Sequence, residues 1–471
     1  MDFTTVNIFL DIDESYTAKT KYVFHTFCSI IGLKAKFFRG LTSEDIQIYY
    51  GKKTKDVYPI KIYHDITAPE FFSKKEKYPE ENANLIKYGL EYLPFLFSMQ
   101  GDVLTSGSQS VTIRKDIISS AFYFLTCWQE HVADVSPEQK YEFSSSLQNR
   151  FDFSEIPPVD RYAKILEDVL KMAFPLYTKK KVWPSGKQFA VSLSHNIDYW
   201  NFRTKEDMTK LNARRRESSG YSANSFFKLL LHNIDKKWFF DPAEQIKSII
   251  KIEAKYRASS SFFVLTKPDL KDEKLNYFSD PKIFQQILNI FNTLSFNLQG
   301  TKEAGFDIGI LSDELVRLKG FSANGFRVRY LNMNYQKLFN NLETAKIKYD
   351  SSMGFYDKTG YAAGISYPFR PYNLEEDRPF NVLEIPSVIS DRTLHINFRS
   401  NAKKAEQYLQ DIFSRSANFK SHVSLSWHNH VFDKIDFPGW GKLYKKLLYK
   451  AYTHNAWICN LDEMWEYWKS R

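Results

Sequence analysis

Between residues 189 and 200 the chain passes from an apolar strand into a polar cluster. Phe189, Val191 and Leu193 alternate with smaller residues as in a buried strand, and Ser194, His195, Asn196 and Asp198 follow at its C-terminal end. In an extended chain Ser194, Asn196 and Asp198 face one way, His195 and Ile197 the other. Asn196 and Asp198 therefore form a pair, while His195 reads as a packing residue. Downstream, apolar positions at helical spacing alternate with short apolar runs. The pattern predicts helix 242–256 before strand 260–266, helix 281–292 before strand 306–310, and helix 334–345 before an extended segment at 349–352. It continues with strand 382–385, helix 402–413, strand 421–426 and a last helix over 462–470. Helix then strand, repeated, indicates a parallel α/β architecture.

Upstream, residues 4–13 read as a strand, and a helix follows through Tyr22, Val23, Phe24 and Phe27. Segments 46–50 and 58–63 read as strands, 116–130 as an amphipathic helix and 164–172 as another helix. Asp11 and Asp13 form a second Asp-x-Asp, read as strand-end or capping residues. A basic, turn-rich link at 175–181 predicts a boundary, with an N-terminal accessory domain over 1–178 and a second domain over 179–471.

The chain has 471 residues, 43% hydrophobic and 17% aromatic, enough to bury two large cores. Its net charge is +10, yet the basic runs, Lys179-Lys180-Lys181 and Arg214-Arg215-Arg216, are short and scattered among acids. They indicate solvated surface with some affinity for anionic glycans or headgroups, and no nucleic-acid partner is expected. Cys28, Cys127 and Cys459 are isolated in apolar settings and read as core thiols. The first residues lack a basic leader and no run reaches membrane-spanning length, so the expectation is a cytoplasmic protein without a membrane span. Residues 205–223, rich in Arg, Ser and Gly, read as a polar loop.

The strand ending in Asn196-Ile197-Asp198, behind the turn Trp183-Pro184-Ser185-Gly186, resembles the first motif of the polysaccharide deacetylases, the NodB-homology family. The resemblance implies an incomplete (β/α)7 barrel with a smaller N-terminal α+β domain. It makes Asn196 the position of the catalytic base and Asp198 a metal ligand. Gly325-Phe326-Arg327-Val328-Arg329-Tyr330 resembles the arginine motif, with Arg327 orienting the base, and Leu425-Ser426-Trp427-His428 resembles the last motif, with His428 as general acid. Tyr349-Asp350-Ser351-Ser352 and Glu384-Ile385-Pro386 with Asp391 also follow the family's pattern. Asp350, Tyr330 and Trp427 are then candidates for substrate binding.

The family's reaction needs a Lewis acid, a base and an acid. Its metal is held by the aspartate and by two histidines after a Glu-Ile-Gly strand end, for which 307–314 is the corresponding stretch here. No histidine is present there, Leu311 taking the first position, and the base position is an amide. Asn196 cannot accept a proton near neutral pH. The expectation is a catalytically degenerate member that binds carbohydrate, an N-acetylated glycan, or acts as a scaffold in bacterial surface-polysaccharide synthesis. No cofactor is expected, and the N-terminal domain is a surface for a protein partner. The opposed expectation is an active N-deacetylase in which Asp198, His428 and His430 hold zinc or another divalent metal in a rearranged site.

Overall fold

The computed structural model describes residues 4–471 except 41, 43, 53–56, 80–83, 108, 134–141, 179–180, 201–241, 268–276, 292–293, 319–322, 330–333, 399–400 and 434–436. The expected polar loop at 205–223, the triple arginine and Tyr330 lie outside the described residues.

The N-terminal sheet contains β1 (Thr5–Asp11), β2 (Lys34–Phe38), β3 (Ile48–Gly51) and β4 (Ile60–Tyr63). After a separate hairpin of β5 (Asn84–Tyr88) and β6 (Glu91–Phe95), the sheet is completed by β7 (Leu104–Ser106) and β8 (Val111–Ile113). Its order is β2-β1-β3-β4-β8-β7, parallel except for the edge strand β7. The N-terminal unit is thus a largely parallel sheet with an antiparallel edge and hairpin. The helix Thr17–Ile31 joins β1 to β2 and buries Val23, Phe24, Phe27, Ile30 and Ile31, at helical spacing, against the sheet. The helix expected over 116–130 is broken: Ile117–Leu125 and Trp128–Val132 flank Cys127, whose φ of 46° leaves the helical region.

The second sheet contains β9 (Ala190–Ile197), β10 (Ser261–Val264), β11 (Ser295–Gly300), β12 (Gly325–Val328) and β13 (Tyr349–Asp350). A small ribbon of β14 (Tyr372–Asn373) and β15 (Arg378–Pro379) intervenes. Then come β16 (Leu383–Glu384), β17 (Ile389–Ser390), β18 (His422–His428) and β19 (Trp457–Asn460). Its order is β16-β13-β12-β11-β10-β9-β18-β17, every pairing is parallel, and β19 pairs with the first half of β9. Laid flat, eight strands about 4.8 Å apart would hold β16 and β17 roughly 34 Å from each other. Only residues 385–388 join them, a reach of roughly 17 Å. The sheet therefore curls round, and its strands point their C-terminal ends to one mouth. β9, the central strand, is buried along its whole length, as a strand covered on both faces must be.

One expectation is corrected. Residues 306–310 are no strand: Asp307 caps the helix Ile308–Arg317, its carboxylate accepting from the amides of Gly309 (2.8 Å) and Ile310 (3.1 Å). Leu311 and Glu314 face inward from that helix, three residues apart. The neighbouring strand is β11, and its end, Gly300-Thr301-Lys302, also lacks a histidine.

The two sheets share one hydrophobic cluster running from Val6 to Trp468. Gly364, at φ 62°, lets residues 360–366 lie on the N-terminal unit, since a Cβ there would meet Phe124 at 2.8 Å. Val159 N–H donates to Gly364 O (2.9 Å), and Asp160 accepts from the Ser366 amide (3.0 Å).

Candidate functional site

β18 lies beside β9 in parallel register, Trp427 opposite His195 and His428 opposite Asn196. Alternation then sends Asn196 and His428 to the interior of the curl and His195 and Trp427 to its outer face. Serines at 194, 426 and 351 keep the interior narrow in side-chain volume, and Arg327 of β12 occupies the space. The guanidinium is 3% exposed and lies 4.3 Å from the centre of the Phe263 ring. It donates to Asn196 Oδ1 (2.9 Å), Ser426 Oγ (3.0 Å), Ser351 O (3.0 Å) and Ser351 Oγ (3.0 Å). Burial lowers its pKa to about 10, against the pull of Asp350; at neutral pH it stays charged.

Because Arg327 claims the amide oxygen, Asn196 turns its Nδ2 toward His428 Nε2, 3.4 Å away. Asp198 Oδ2 stands 3.6 Å from the same nitrogen. On the far side of the ring, His428 Nδ1 donates to Asp391 Oδ1 (2.8 Å). Burial pulls the His428 pKa down, but Asp391 and Asp198 outweigh it and carry it up to about 9. An imidazolium selects the carboxylate of Asp198 over the amide of Asn196 for its Nε2–H. Asp391 is held below the usual carboxylate range: burial pushes it up, and His428 more than reverses this. The other oxygen of Asp198, Oδ1, is buried and meets no donor among the described residues.

Below this layer Asp350 pairs in parallel register with Glu384. Both are fully buried. Asp350 accepts from the Ser352 amide (2.9 Å) and hydroxyl (2.7 Å), and Glu384 from the Met353 amide (3.0 Å). Burial and the Asp350 charge push Glu384 well above the carboxylate range.

Asn196, Asp198, Arg327 and His428 thus converge. Asp350 is fully buried at the end of β13, where it accepts from Ser352 and its charge attracts Arg327. Trp427 is a correction: it is 0% exposed, with its ring 6.0 Å from Trp440 and 5.6 Å from Tyr444, so it is a core ring and offers no platform to a sugar. Its place one residue before the inward His428 dictates this. His195 packs as expected, donating from Nδ1 to Trp427 O (2.9 Å), with Nε2 3.0 Å from Glu253 Oε1. Asp391, now the direct partner of His428, and the serines around Arg327 carry more of the site than the sequence suggested. The run Ser424-x-Ser426-x-His428 was a legible sign of them.

His430 lies within the 3-10 turn Asn429–Phe432 that follows β18, its ring centre 5.4 Å from that of His428, and burial and the His428 charge lower its pKa to about 4. Among the described residues no three His, Cys, Asp or Glu side chains are placed to hold a metal ion. The trio of Asp198, His428 and His430 is therefore not assembled.

A family of unknown function, DUF7033, matches residues 8–175. No curated protein sequence matches the chain. Among solved structures the chain is similar to a protein described as a polysaccharide deacetylase from Mycobacterium smegmatis, with 14% identity and a TM-score of 0.41 over 61% of this chain and 92% of that one. It is also similar to the allantoinase Puue, at 14% identity and a TM-score of 0.40 over 63% of this chain and 95% of that one. A protein described as a polysaccharide deacetylase from Pseudomonas aeruginosa PAO1 gives 13% identity and a TM-score of 0.40 over 64% and 97%.

Proposed function

We propose that the chain is a catalytically degenerate relative of the polysaccharide deacetylases. In this reading an incomplete (β/α)7 barrel over residues 179–471, behind an accessory domain over 1–178, binds or scaffolds an N-acetylated glycan during the synthesis or modification of a bacterial surface polysaccharide. The observation that carries it is Asn196. An amide stands where the resembled family has its base, and its oxygen is already taken by Arg327 at 2.9 Å. Loss of a general base costs about 10²–10⁴-fold in rate, and loss of the Lewis acid several kcal/mol more. The remaining residues still suit a ligand. His428 is a donor at a part-exposed mouth, and Asp198 has an acceptor oxygen in need of a partner.

The test is elemental analysis of protein purified without chelator or tag metal, beside an Asp198→Ala/His428→Ala double variant and an Asn196→Asp variant. Expected are no stoichiometric metal in any of them and no release of acetate from N-acetylglucosamine oligomers, even with the carboxylate restored at 196. Calorimetry with those oligomers should detect binding by the parent chain and its loss in the double variant. Stoichiometric zinc, cobalt or nickel that the double variant loses would sink the degenerate reading and favour an active N-deacetylase.

A further inference from the structure

The helix Trp440–Thr453 covers the curled sheet from outside, turning Leu443, Tyr444, Leu447, Leu448 and Ala451 inward. Its opposite face carries Lys442, Lys445, Lys446, Tyr449 and Tyr452, which fall in one stripe by helical spacing. A solvated stripe needs no large rings, yet Tyr449 is 58% exposed and Tyr452 49%. The two are not scattered. Tyr256, in the turn after the helix Pro242–Ala254, brings its ring to 6.5 Å from that of Tyr449 and 5.9 Å from that of Tyr452. Lys255 and Arg257 flank Tyr256 and are exposed. Lys446 is engaged by Glu406 (2.7 Å), but Lys442, Lys445, Lys255 and Arg257 form no ion pair among the described residues.

The cluster stands at the base of the sheet. Thr453 lies four residues before β19, whose first residue pairs with the first of β9, and Arg257 lies four residues before β10. Both connections therefore turn where the strands begin, at the end opposite the mouth. Half-exposed tyrosines ringed by unpaired cations suit the boundary between water and a bilayer. A phenol there keeps its hydroxyl hydrated while the ring leaves water, and each lysine or arginine near anionic headgroups raises affinity about fivefold. The stripe lies on a convex helix, which matches a flat partner better than a sugar chain that needs a cleft. No described helix is long and apolar enough to cross a membrane, so such an attachment is to the surface alone.

We propose that this face docks on an anionic membrane surface. The eight residues of β9 then separate it from the mouth by about 26 Å, and the mouth opens toward the solution rather than the lipid. The docking face is independent of what the mouth binds.

The experiment is co-sedimentation of the full chain with phosphatidylcholine vesicles, with and without about one-third phosphatidylglycerol, at low and at physiological salt. Binding should need the anionic lipid and weaken as salt rises. Lys255→Glu/Lys445→Glu should reduce it at least about twentyfold. The same charge change made as Lys34→Glu/Lys36→Glu, at exposed positions of the edge strand β2, measures what net charge alone contributes and should cost less than about threefold. Tyr449→Ser/Tyr452→Ser, which alters no charge, should weaken binding about tenfold and leave its salt dependence as it was. Urea midpoints check the fold of each variant, and Lys255→Gln/Lys445→Gln replaces the charge reversal if that one unfolds. Failure to sediment with the anionic vesicles at low salt, equal losses in the patch and β2 variants, or an unaffected tyrosine variant overturns the proposal. Binding of hyaluronan fragments that the patch variants lose, without any binding of vesicles, also overturns it and gives the face to an acidic glycan.

Discussion

His64 and Asp116, at the end of the N-terminal sheet, repeat the pairing of His428 and Asp391 at the mouth of the curled one. His64 Nδ1 stands 3.2 Å from Asp116 Oδ2, and both side chains are wholly buried. Asp116 also accepts from the Tyr50 hydroxyl (3.0 Å), the Asp65 amide (2.8 Å), the Ser119 amide (2.9 Å) and the Ser119 hydroxyl (2.8 Å). Tyr16 closes over the pair, its ring 5.7 Å from that of His64 and its hydroxyl on Ser119. His428, by contrast, keeps 14% of its side chain exposed, and the second carboxylate it faces, Asp198, leaves one oxygen unmet. The same two residue types thus make a sealed structural joint in one sheet and an open site in the other. What separates the two carboxylates is saturation: Asp116 accepts from several donors, although His64 Nε2 beside it is buried without a partner among the described residues, whereas Asp198 keeps an unmet oxygen beside a part-exposed histidine.

The largest effect expected from this contrast is at Asp116. Asp116→Ala strips partners from Tyr50, Asp65 and Ser119 and removes the cap of the helix Ile117–Leu125. It should cost about 3–5 kcal/mol of unfolding free energy by urea denaturation, against roughly half of that for Asp391→Ala at the more open site. Equal losses at the two positions would break the comparison.

A second test uses pH. His428 is raised to about 9 in the folded chain, from an unfolded value near 6.5. The stability it adds is therefore fully present below about pH 6.5 and disappears as pH rises through about 9, an amount of at most roughly 3 kcal/mol. Urea midpoints should fall over that window in the parent, and Asp391→Asn should flatten the slope while moving the His428 titration, followed by NMR, toward its ordinary range. A parent curve no steeper than the variant's would show that His428 is not held as an imidazolium.

These residues also mark how far the sequence could be read. The facing of Asn196 and Asp198 against His195 follows from alternation alone, and so does the burial of Trp427 one residue before His428, although its aromatic character suggested a sugar platform instead. Which strand lies beside β9 does not follow from alternation. Arg327 reaches Asn196 across 131 residues of chain, and Asp391 reaches His428 from the first residue of the helix Asp391–Phe398, behind a two-residue strand too short to leave a pattern. The segment 306–310 misled because Phe306, Ile308 and Ile310 alternate like a strand. The deciding signals were the cap at Asp307 and the inward pair Leu311 and Glu314. β19, only four residues after a lysine-rich helix, left no signal that distinguishes a strand from the end of that helix.

The smallest expected effect separates the two sheets most sharply. In the sealed joint, replacing the carboxylate removes several good hydrogen bonds at once. At Asp198, Asp198→Asn removes an attraction to His428 across 3.6 Å but also relieves an anion whose Oδ1 has no donor among the described residues. The two terms oppose each other, and the net change in unfolding free energy should stay within about 1 kcal/mol of the parent, with the His428 titration shifted downward from about 9. A carboxylate whose removal is nearly neutral for folding is retained for some other use, as stability and function are commonly opposed at binding sites. If Asp198→Asn instead destabilises the chain as much as Asp116→Ala does, Asp198 is a structural acceptor of the same kind, and the mouth of the curled sheet loses the feature that sets it apart from the sealed joint.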